Sequence, residues 1–290
     1  MGSDACFRIG HSHTICQDYA IAGAMDGSPY AILSDGCSGK PVEGEPGSPY
    51  TDYGSRFLAR AARLHLPRPG ETFEDKVILE HAVAMASAAR FKATALDATL
   101  LVAIQRARGI DVYQAGDGVV AARRRDTKEI VYTSLKFGNN APFYLSCLLS
   151  RATKARYLKE AGTVTTTTGS VQVVSGLTDA MVMANVEEKS VEEALTDESP
   201  CTRIHCFDDS YDLVLIMSDG AESFVDSMNQ PVSLASVLRQ LFEIKGYEGE
   251  FINRRCNGFL RRFCAENKWR HNDDLAVAGI YIPPASGQTP

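Results

Sequence analysis

Two apolar runs in this chain end on the same three residues. Tyr30-Ala31-Ile32-Leu33 leads into Ser34-Asp35-Gly36, and Leu213-Val214-Leu215-Ile216-Met217 leads into Ser218-Asp219-Gly220. Short apolar runs bounded by glycine predict buried strands. Each therefore delivers a carboxylate to the point where a strand leaves the core. A glycine after the aspartate permits a sharp turn and leaves its carbonyl open.

The remaining pattern extends this picture. Strand-like segments at 19–24 and 30–34 flank a hairpin turn, Met25-Asp26-Gly27-Ser28-Pro29. A Gly/Pro-rich loop over 36–49 leads to a helix beginning near Thr51-Asp52. Phe57, Leu58, Ala61, Ala62 and Leu64 form its apolar face, and Pro67 ends it. A second helix is predicted over 72–92. Thr72 and Asp75 resemble a capping box, and Phe73, Val77, His81, Ala84, Met85 and Ala88 keep the helical period. Runs at 99–105, 110–115, 119–123 and 129–133 read as a β-meander. Within 136–212 the pattern weakens: 164–168 and 171–174 read as strands, and 191–195 as a helical turn. Helices near 233–244 and 251–267 and a closing strand at 275–282 complete the order. Helices segregated from antiparallel strands imply a layered α+β fold. No linker divides the chain, so residues 1–290 are expected to form one domain.

Composition narrows the function classes. The 44% hydrophobic and 23% charged residues suit a globular protein. A net charge of −6 argues against a general nucleic-acid binder. The cluster Arg123-Arg124-Arg125 is local and reads as a solvated strand end. No apolar run reaches the roughly 18 residues of a membrane span, so no membrane association is expected. The eight cysteines are scattered, which fits free thiols in a reducing compartment and a cytoplasmic location. Cys201, His205 and Cys206 would make only half a zinc site.

The aspartates at strand boundaries carry the chemistry. Besides Asp35 and Asp219 there are Asp117 in Gly116-Asp117-Gly118, Asp273-Asp274 before the closing strand, and Asp18 before the strand at 19–24. Singly, an aspartate beside glycine is a turn residue; five such positions together suggest a site. Oxygen ligands without a Cys or His set suit Mg²⁺ or Mn²⁺. Two such ions sharing a carboxylate would lie about 3.5–4 Å apart and lower the pKa of a bridging water, which could then attack phosphorus.

In their order these motifs resemble the metal-dependent protein phosphatase 2C family, in its bacterial branch. The resemblance rests on Gly10-His11-Ser12-His13 with Cys16-Gln17-Asp18, Ile32-Leu33-Ser34-Asp35-Gly36, Tyr53-Gly54-Ser55-Arg56, and Asp97-Ala98-Thr99-Leu100-Leu101-Val102. It continues through Gln114-Ala115-Gly116-Asp117-Gly118, Leu215-Ile216-Met217-Ser218-Asp219-Gly220 and Asn272-Asp273-Asp274-Leu275-Ala276-Val277. It implies a four-layer α-β-β-α sandwich of two antiparallel sheets and a phosphoserine/phosphothreonine protein phosphatase using two Mn²⁺ or Mg²⁺ ions, with room for a third. Asp35 would bridge the metals, with the Gly36 carbonyl on one. Asp219 and Asp273 would hold the other, Asp117 with Asp219 would form the third site, and Asp18 would act through water. A phosphorylated protein is the implied substrate. A variable flap is implied over about 139–208, entered through Asn140-Ala141-Pro142-Phe143-Tyr144-Leu145.

Three positions depart from the family pattern. His13 stands where many members carry a phosphate-gripping Arg, Gln17 where they carry an acid, and Gly36-Cys37-Ser38-Gly39 replaces a Gly-His-Gly-Gly type loop. His13 can bind phosphate, act as general acid, or simply pack at a strand start. Arg8 is a candidate replacement for the missing Arg, and His11 with His13 could ligate a metal. The competing functions are a non-catalytic phosphoprotein-binding module and a phosphatase of small phosphorylated molecules.

Overall fold

The computed structural model describes residues 2–37, 51–68, 70–140, 142–172, 186–196 and 202–284. Most of the Gly/Pro-rich loop, Ser38, Gly39, Ala141, Val173, Val174, Cys201 and the tail beyond Pro284 lie outside them. Seven strands form one sheet in the order β1 (Gly2–Arg8), β14 (Leu275–Tyr281), β11 (Tyr211–Met217), β6 (Gly118–Arg124), β7 (Ile130–Phe137), β8 (Thr163–Val171), β9 (Glu187–Ala194). Five form a second, in the order β10 (Thr202–Phe207), β5 (Gly109–Ala115), β4 (Leu100–Arg106), β3 (Ser28–Ser34), β2 (Tyr19–Met25). Every pairing in both sheets is antiparallel. A two-strand ribbon joins β12 (Phe224–Val225) to β13 (Arg270–His271).

Antiparallel strands usually alternate apolar and polar residues, because one face meets water. Here the runs are continuously apolar, and the packing explains why. Leu213, Leu215 and Met217 of β11 face one core while Val214 and Ile216 face another. On β4, Leu100, Val102 and Ile104 divide from Leu101 and Ala103 in the same way. The sheets meet through Ala31, Leu33, Leu101, Val112, Val120, Ile216 and Ala276. The outer face of the five-stranded sheet packs on α1 (Thr51–Leu64), α2 (Asp75–Ala88) and α3 (Arg151–Ala161). The outer face of the seven-stranded sheet packs on α4 (Leu234–Leu241) and α5 (Phe251–Gly258), which continues through a π-turn segment at Phe259–Cys264. The result is the four-layer α-β-β-α sandwich.

The structure corrects several local expectations. Residues 187–194 form strand β9 rather than a helical turn at 191–195; the tract is fully exposed, and pairing with the Thr-rich β8 sets its conformation. Helix α2 begins at Asp75 after Glu74, with no side-chain cap, and ends at Ala88. Its buried stripe is Ile78, Leu79, Ala82 and Ala86, while Ala84 and Ala88 are exposed. A helix this rich in apolar residues leaves the facing side ambiguous by period alone. On α1, Leu64 is exposed rather than on the buried face. Strand β1 and helix α3 have no counterpart in the elements expected from the pattern.

The arginine cluster is not a solvated strand end. Arg123 reaches Asp212 at 2.8 Å and the Tyr247 hydroxyl at 2.6 Å, and both ion-pair partners are largely buried. Arg125 donates to the carbonyls of Asp209, Tyr211 and Ile282. The zinc half-site is also absent from the described residues: His205 is engaged by Gln114 at 3.0 Å. His81 sits at the α1–α2 border, 3.0 Å from His65. No helix among the described residues is long and apolar enough to cross a membrane, and none of the seven described cysteines forms a disulfide.

Removing one partner of a buried ion pair strands the other charge. Arg123→Ala is therefore expected to cost roughly 3 kcal/mol of unfolding free energy, read from the urea midpoint at constant slope. A loss under about 1 kcal/mol would mean that Lys128, 3.2 Å from the second Asp212 oxygen, suffices to balance Asp212.

Candidate metal centre

All five aspartate positions collect at one edge of the sandwich. Asp35 follows β3, Asp219 follows β11, Asp117 joins β5 to β6, and Asp18 and Asp273 precede β2 and β14. Antiparallel pairing brings these ends together: Tyr19 lies opposite Ser34, Leu100 opposite Ala115, and Met217 opposite both Val119 and Val277.

The serines of the two Ser-Asp-Gly sequences tie those ends to neighbouring strands. Ser34 Oγ donates to the Thr99 carbonyl at 2.6 Å, and Asp35 N–H donates to Thr99 Oγ1 at 3.1 Å. Ser218 Oγ accepts from Ala276 N–H at 2.9 Å and approaches the Asp274 carbonyl at 3.3 Å. Their glycines permit close backbone approach. A Cβ on Gly220 would lie 1.8 Å from the Asp274 carbonyl oxygen, so no other residue fits without displacing β14. Gly36 forms an isolated bridge with Ala98.

The carboxylates differ in what they have for company. Asp18 is 1% exposed, and neither carboxylate oxygen has a hydrogen-bond donor. Ser218 is close, but its hydroxyl is engaged by backbone groups of 274–276. Burial, followed by the charges of Asp219 and Asp274, pushes Asp18 well above the usual carboxylate range, although Asp35 and Ser218 oppose the shift. Burial raises Asp35 too, reinforced by Asp18, Asp219 and Asp117. Asp117 is raised by burial and then by Asp219. Asp219 is pushed up to about 6, by burial first and the Asp273 charge second.

Asp274 is the contrasting case. It is buried, but Oδ1 accepts from Gly10 N–H at 2.7 Å and Oδ2 from Gln17 N–H at 2.6 Å. One carboxylate thereby closes both ends of the loop that carries His13. His13 Nδ1 lies 3.1 Å from Asp274 Oδ2, off the line of a good hydrogen bond, and Nε2 lies 3.5 Å from Asp273 Oδ1. Among the expected site residues, His13 therefore stands with Asp273 at the acidic edge. Arg8 does not: its guanidinium donates to Asn253 and Asn257 on α5, on the helix-covered side of the sheet. The expected phosphate contact from Arg8 is corrected on that ground. His11 is fixed through its backbone, by His271.

Two neighbours of the cluster carry no sequence signal strong enough to single them out. Glu222 lies within electrostatic reach of Asp117 and Asp219. It follows Asp219 by three residues in a 3₁₀ turn, where i and i+3 share a face; that spacing is the one clue the sequence holds. One oxygen pairs with Lys136 at 3.2 Å and the other has no donor. Tyr144 approaches Cys37, Asp117 and Asp35; burial, then Cys37, raises its hydroxyl pKa. The adjacent Phe143 and Leu145 are buried in the outer core.

No three described His, Cys, Asp or Glu side chains close into a finished metal cage. The donor set nevertheless fits a hard divalent cation. Its oxygens are anionic, several lack donors, and Mg²⁺ or Mn²⁺ commonly keeps water in part of its coordination shell.

A sequence profile described as protein phosphatase 2C matches residues 9–261, spanning every one of these positions but those beyond 261. The chain belongs to the protein phosphatase 2C family. Solved structures with the same fold include a point mutant of a bacterial serine phosphatase, at 12% identity and TM-score 0.53, covering 98% of this chain and 99% of that one. A bacterial serine phosphatase without a substitution aligns at 11% identity and TM-score 0.51, covering 99% of each chain. The serine/threonine phosphatase Stp1 from Staphylococcus aureus aligns at 11% identity and TM-score 0.51, covering 97% of this chain and 94% of that one. A search of curated proteins finds no match. Membership in the protein phosphatase 2C family points to a phosphatase, and the sandwich is the fold of these structures.

The raised carboxylates set a pH dependence in this phosphatase 2C domain. An acid whose folded pKa exceeds its unfolded value binds more protons when folded, so it weakens folding as pH rises through the gap. For Asp219 that gap runs from about 4 to about 6. Metal-free Asp219→Asn is expected to be more stable than the metal-free parent at pH 7.5, by on the order of 2 kcal/mol. The advantage should shrink as pH falls towards 4. Urea titrations in EDTA across pH 4–7.5 test this; a constant gap between the two proteins would show that Asp219 is not strained by its surroundings.

Proposed function

We propose that the chain is a metal-dependent phosphoserine/phosphothreonine protein phosphatase. The observation that carries the reading is Asp18, a buried carboxylate without a donor, among Asp35, Asp117 and Asp219, whose carboxyls are all pushed upward. Bound Mn²⁺ or Mg²⁺ would lower the pKa of a coordinated water and absorb charge on phosphoryl oxygens. Asp35 would be shared by two ions, with the Gly36 carbonyl on one. Asp219 and Asp273 would hold the other, and Asp117 with Asp219 a third. Asp18, buried within the cluster, orients water through its free oxygens.

His13 serves the substrate side. It lies at the rim, partly exposed, between Asp273 and Asp274. From there an imidazolium can hydrogen-bond a phosphate oxygen or protonate the departing serine oxygen. The substrate is a phosphorylated protein. The free thiols support the cytoplasm as its compartment. A second reading, a module that binds phosphoproteins without turnover, draws on the lack of a closed cage among the described residues.

Two experiments separate these readings. With Mn²⁺ and a phosphoserine peptide, turnover is expected, and Asp35→Ala should reduce kcat at least about a hundredfold. Phosphopeptide binding with no turnover in Mn²⁺ or Mg²⁺ would leave the binding module standing instead. His13→Gln should lower kcat on the phosphoserine peptide by roughly 10²-fold and change p-nitrophenyl phosphate hydrolysis little, because nitrophenolate leaves without a proton. Equal losses on both substrates would remove the general-acid role.

A further inference from the structure

Asp117 sits on the shortest connection between the two sheets, in the turn from β5 of one to β6 of the other. Its flanking glycines both have positive φ, 98° at Gly116 and 114° at Gly118. A Cβ on Gly116 would meet Thr99 Cγ2 at 2.7 Å, and one on Gly118 would meet the Met217 carbonyl oxygen at 2.7 Å. The turn must therefore be built from glycine, and its own neighbours have no side chains with which to brace it. The brace comes from Gln114. Its Nε2 donates to the carbonyl of Gly118 at 3.2 Å and, more weakly, to that of Gly116 at 3.4 Å. The side chain is buried, so water does not compete for it.

The orientation of that carboxamide follows from chemistry. Two carbonyl oxygens face one end, so that end must be the NH₂ group; the reverse would set three oxygens against one another. Gln114 Oε1 then faces His205 Nε2 at 3.0 Å, and His205 must donate. Burial, helped by the Arg203 charge, holds the His205 pKa down to about 4, so at neutral pH the donor is an uncharged ring protonated on Nε2. His205 comes from β10, the edge strand of the five-stranded sheet, where it lies opposite Val112.

We propose that Gln114 and His205 are a positioning pair: His205 orients the Gln114 carboxamide, which fixes the backbone turn that aims Asp117 at the carboxylate cluster. Neither residue is among the proposed metal ligands, and the inference rests on the reading of Asp117 as a ligand. Outer hydrogen-bond partners of ligands commonly affect metal affinity by about 10–100-fold. Through His205 the pair extends that control to the edge strand β10, remote in sequence from Asp117.

Calorimetric Mn²⁺ titration of the full chain, well below its unfolding temperature, tests the proposal. Asp117→Asn should remove or weaken one binding step. His205→Phe and Gln114→Leu should each weaken that same step about tenfold and leave the other binding unchanged. His205→Gln, which keeps an N–H donor, should restore it, and stands in should His205→Phe not fold. In an Asp117→Asn background, His205→Phe should change nothing further. A wild-type isotherm for both His205→Phe and Gln114→Leu overturns the pair while leaving the metal reading intact, as does further weakening in the Asp117→Asn background. If the wild type binds no Mn²⁺, the metal reading falls and takes the pair with it. A drop in thermal stability with an unchanged isotherm assigns the two residues to folding alone and also overturns the proposal.

Discussion

Mutual repulsion among carboxylates is the constraint around which this sandwich is organised. Asp18, Asp35, Asp117, Asp219, Asp273 and Glu222 all lie within electrostatic reach of others in the group. Two unit charges about 4 Å apart repel by about 4 kcal/mol at an effective dielectric of about 20. A cluster of this kind cannot assemble itself; the sheets must hold it. The three apolar layers, continuous through both faces of the central strands, supply that hold. The raised carboxyl pKa values express the remaining strain: without a cation, protons relieve it.

The hydrogen bonds at the acidic edge divide the carboxylates into two kinds. Asp274 accepts two backbone N–H groups and so organises the loop from Gly10 to Gln17. Asp18, equally buried, receives none. A buried carboxylate with donors is a structural element, whereas one without donors carries a cost that only a proton or a cation removes. Adjacent residues divide the labour similarly: Asp273 is open at the rim, while Asp274 is closed beneath it. The same distinction explains Arg8. It belongs to β1, yet its side chain leaves towards α5, which supplies amide acceptors.

How much of this can be read from the sequence follows from which signals are local. The strands ending at Ser34 and Met217 are legible because burial on both faces makes their apolar runs continuous. The acidic edge is legible because most of its aspartates sit beside glycine or at the end of such a run. Asp274 as a clamp is not, since its partners are backbone groups more than about 250 residues away along the chain. Strand β9 is almost entirely polar, and its conformation is set by pairing with β8. The facing side of α2 is lost because alanine and valine occur all around it. Arg123 fails for a related reason: charge clustering along the chain says nothing about an aspartate 89 residues on that buries with it.

The repeated Ser-Asp-Gly shows where local likeness stops. In both copies the serine hydroxyl ties the strand end to its neighbour, so the first residue of the triplet has one job. The aspartates face each other but then diverge, because Asp35 also meets Asp18 and Asp117 while Asp219 also meets Asp273 and Glu222. The glycines serve different contacts as well, a bridge to Ala98 for Gly36 and a close approach to Asp274 for Gly220. One copy ends a strand of each sheet. A strand end that must stay tied, present an oxygen and let another backbone pass has few residue choices, and serine, aspartate and glycine satisfy those demands in that order. The repetition is thus accounted for by two sheets solving the same steric problem at one edge, without any duplication of the chain.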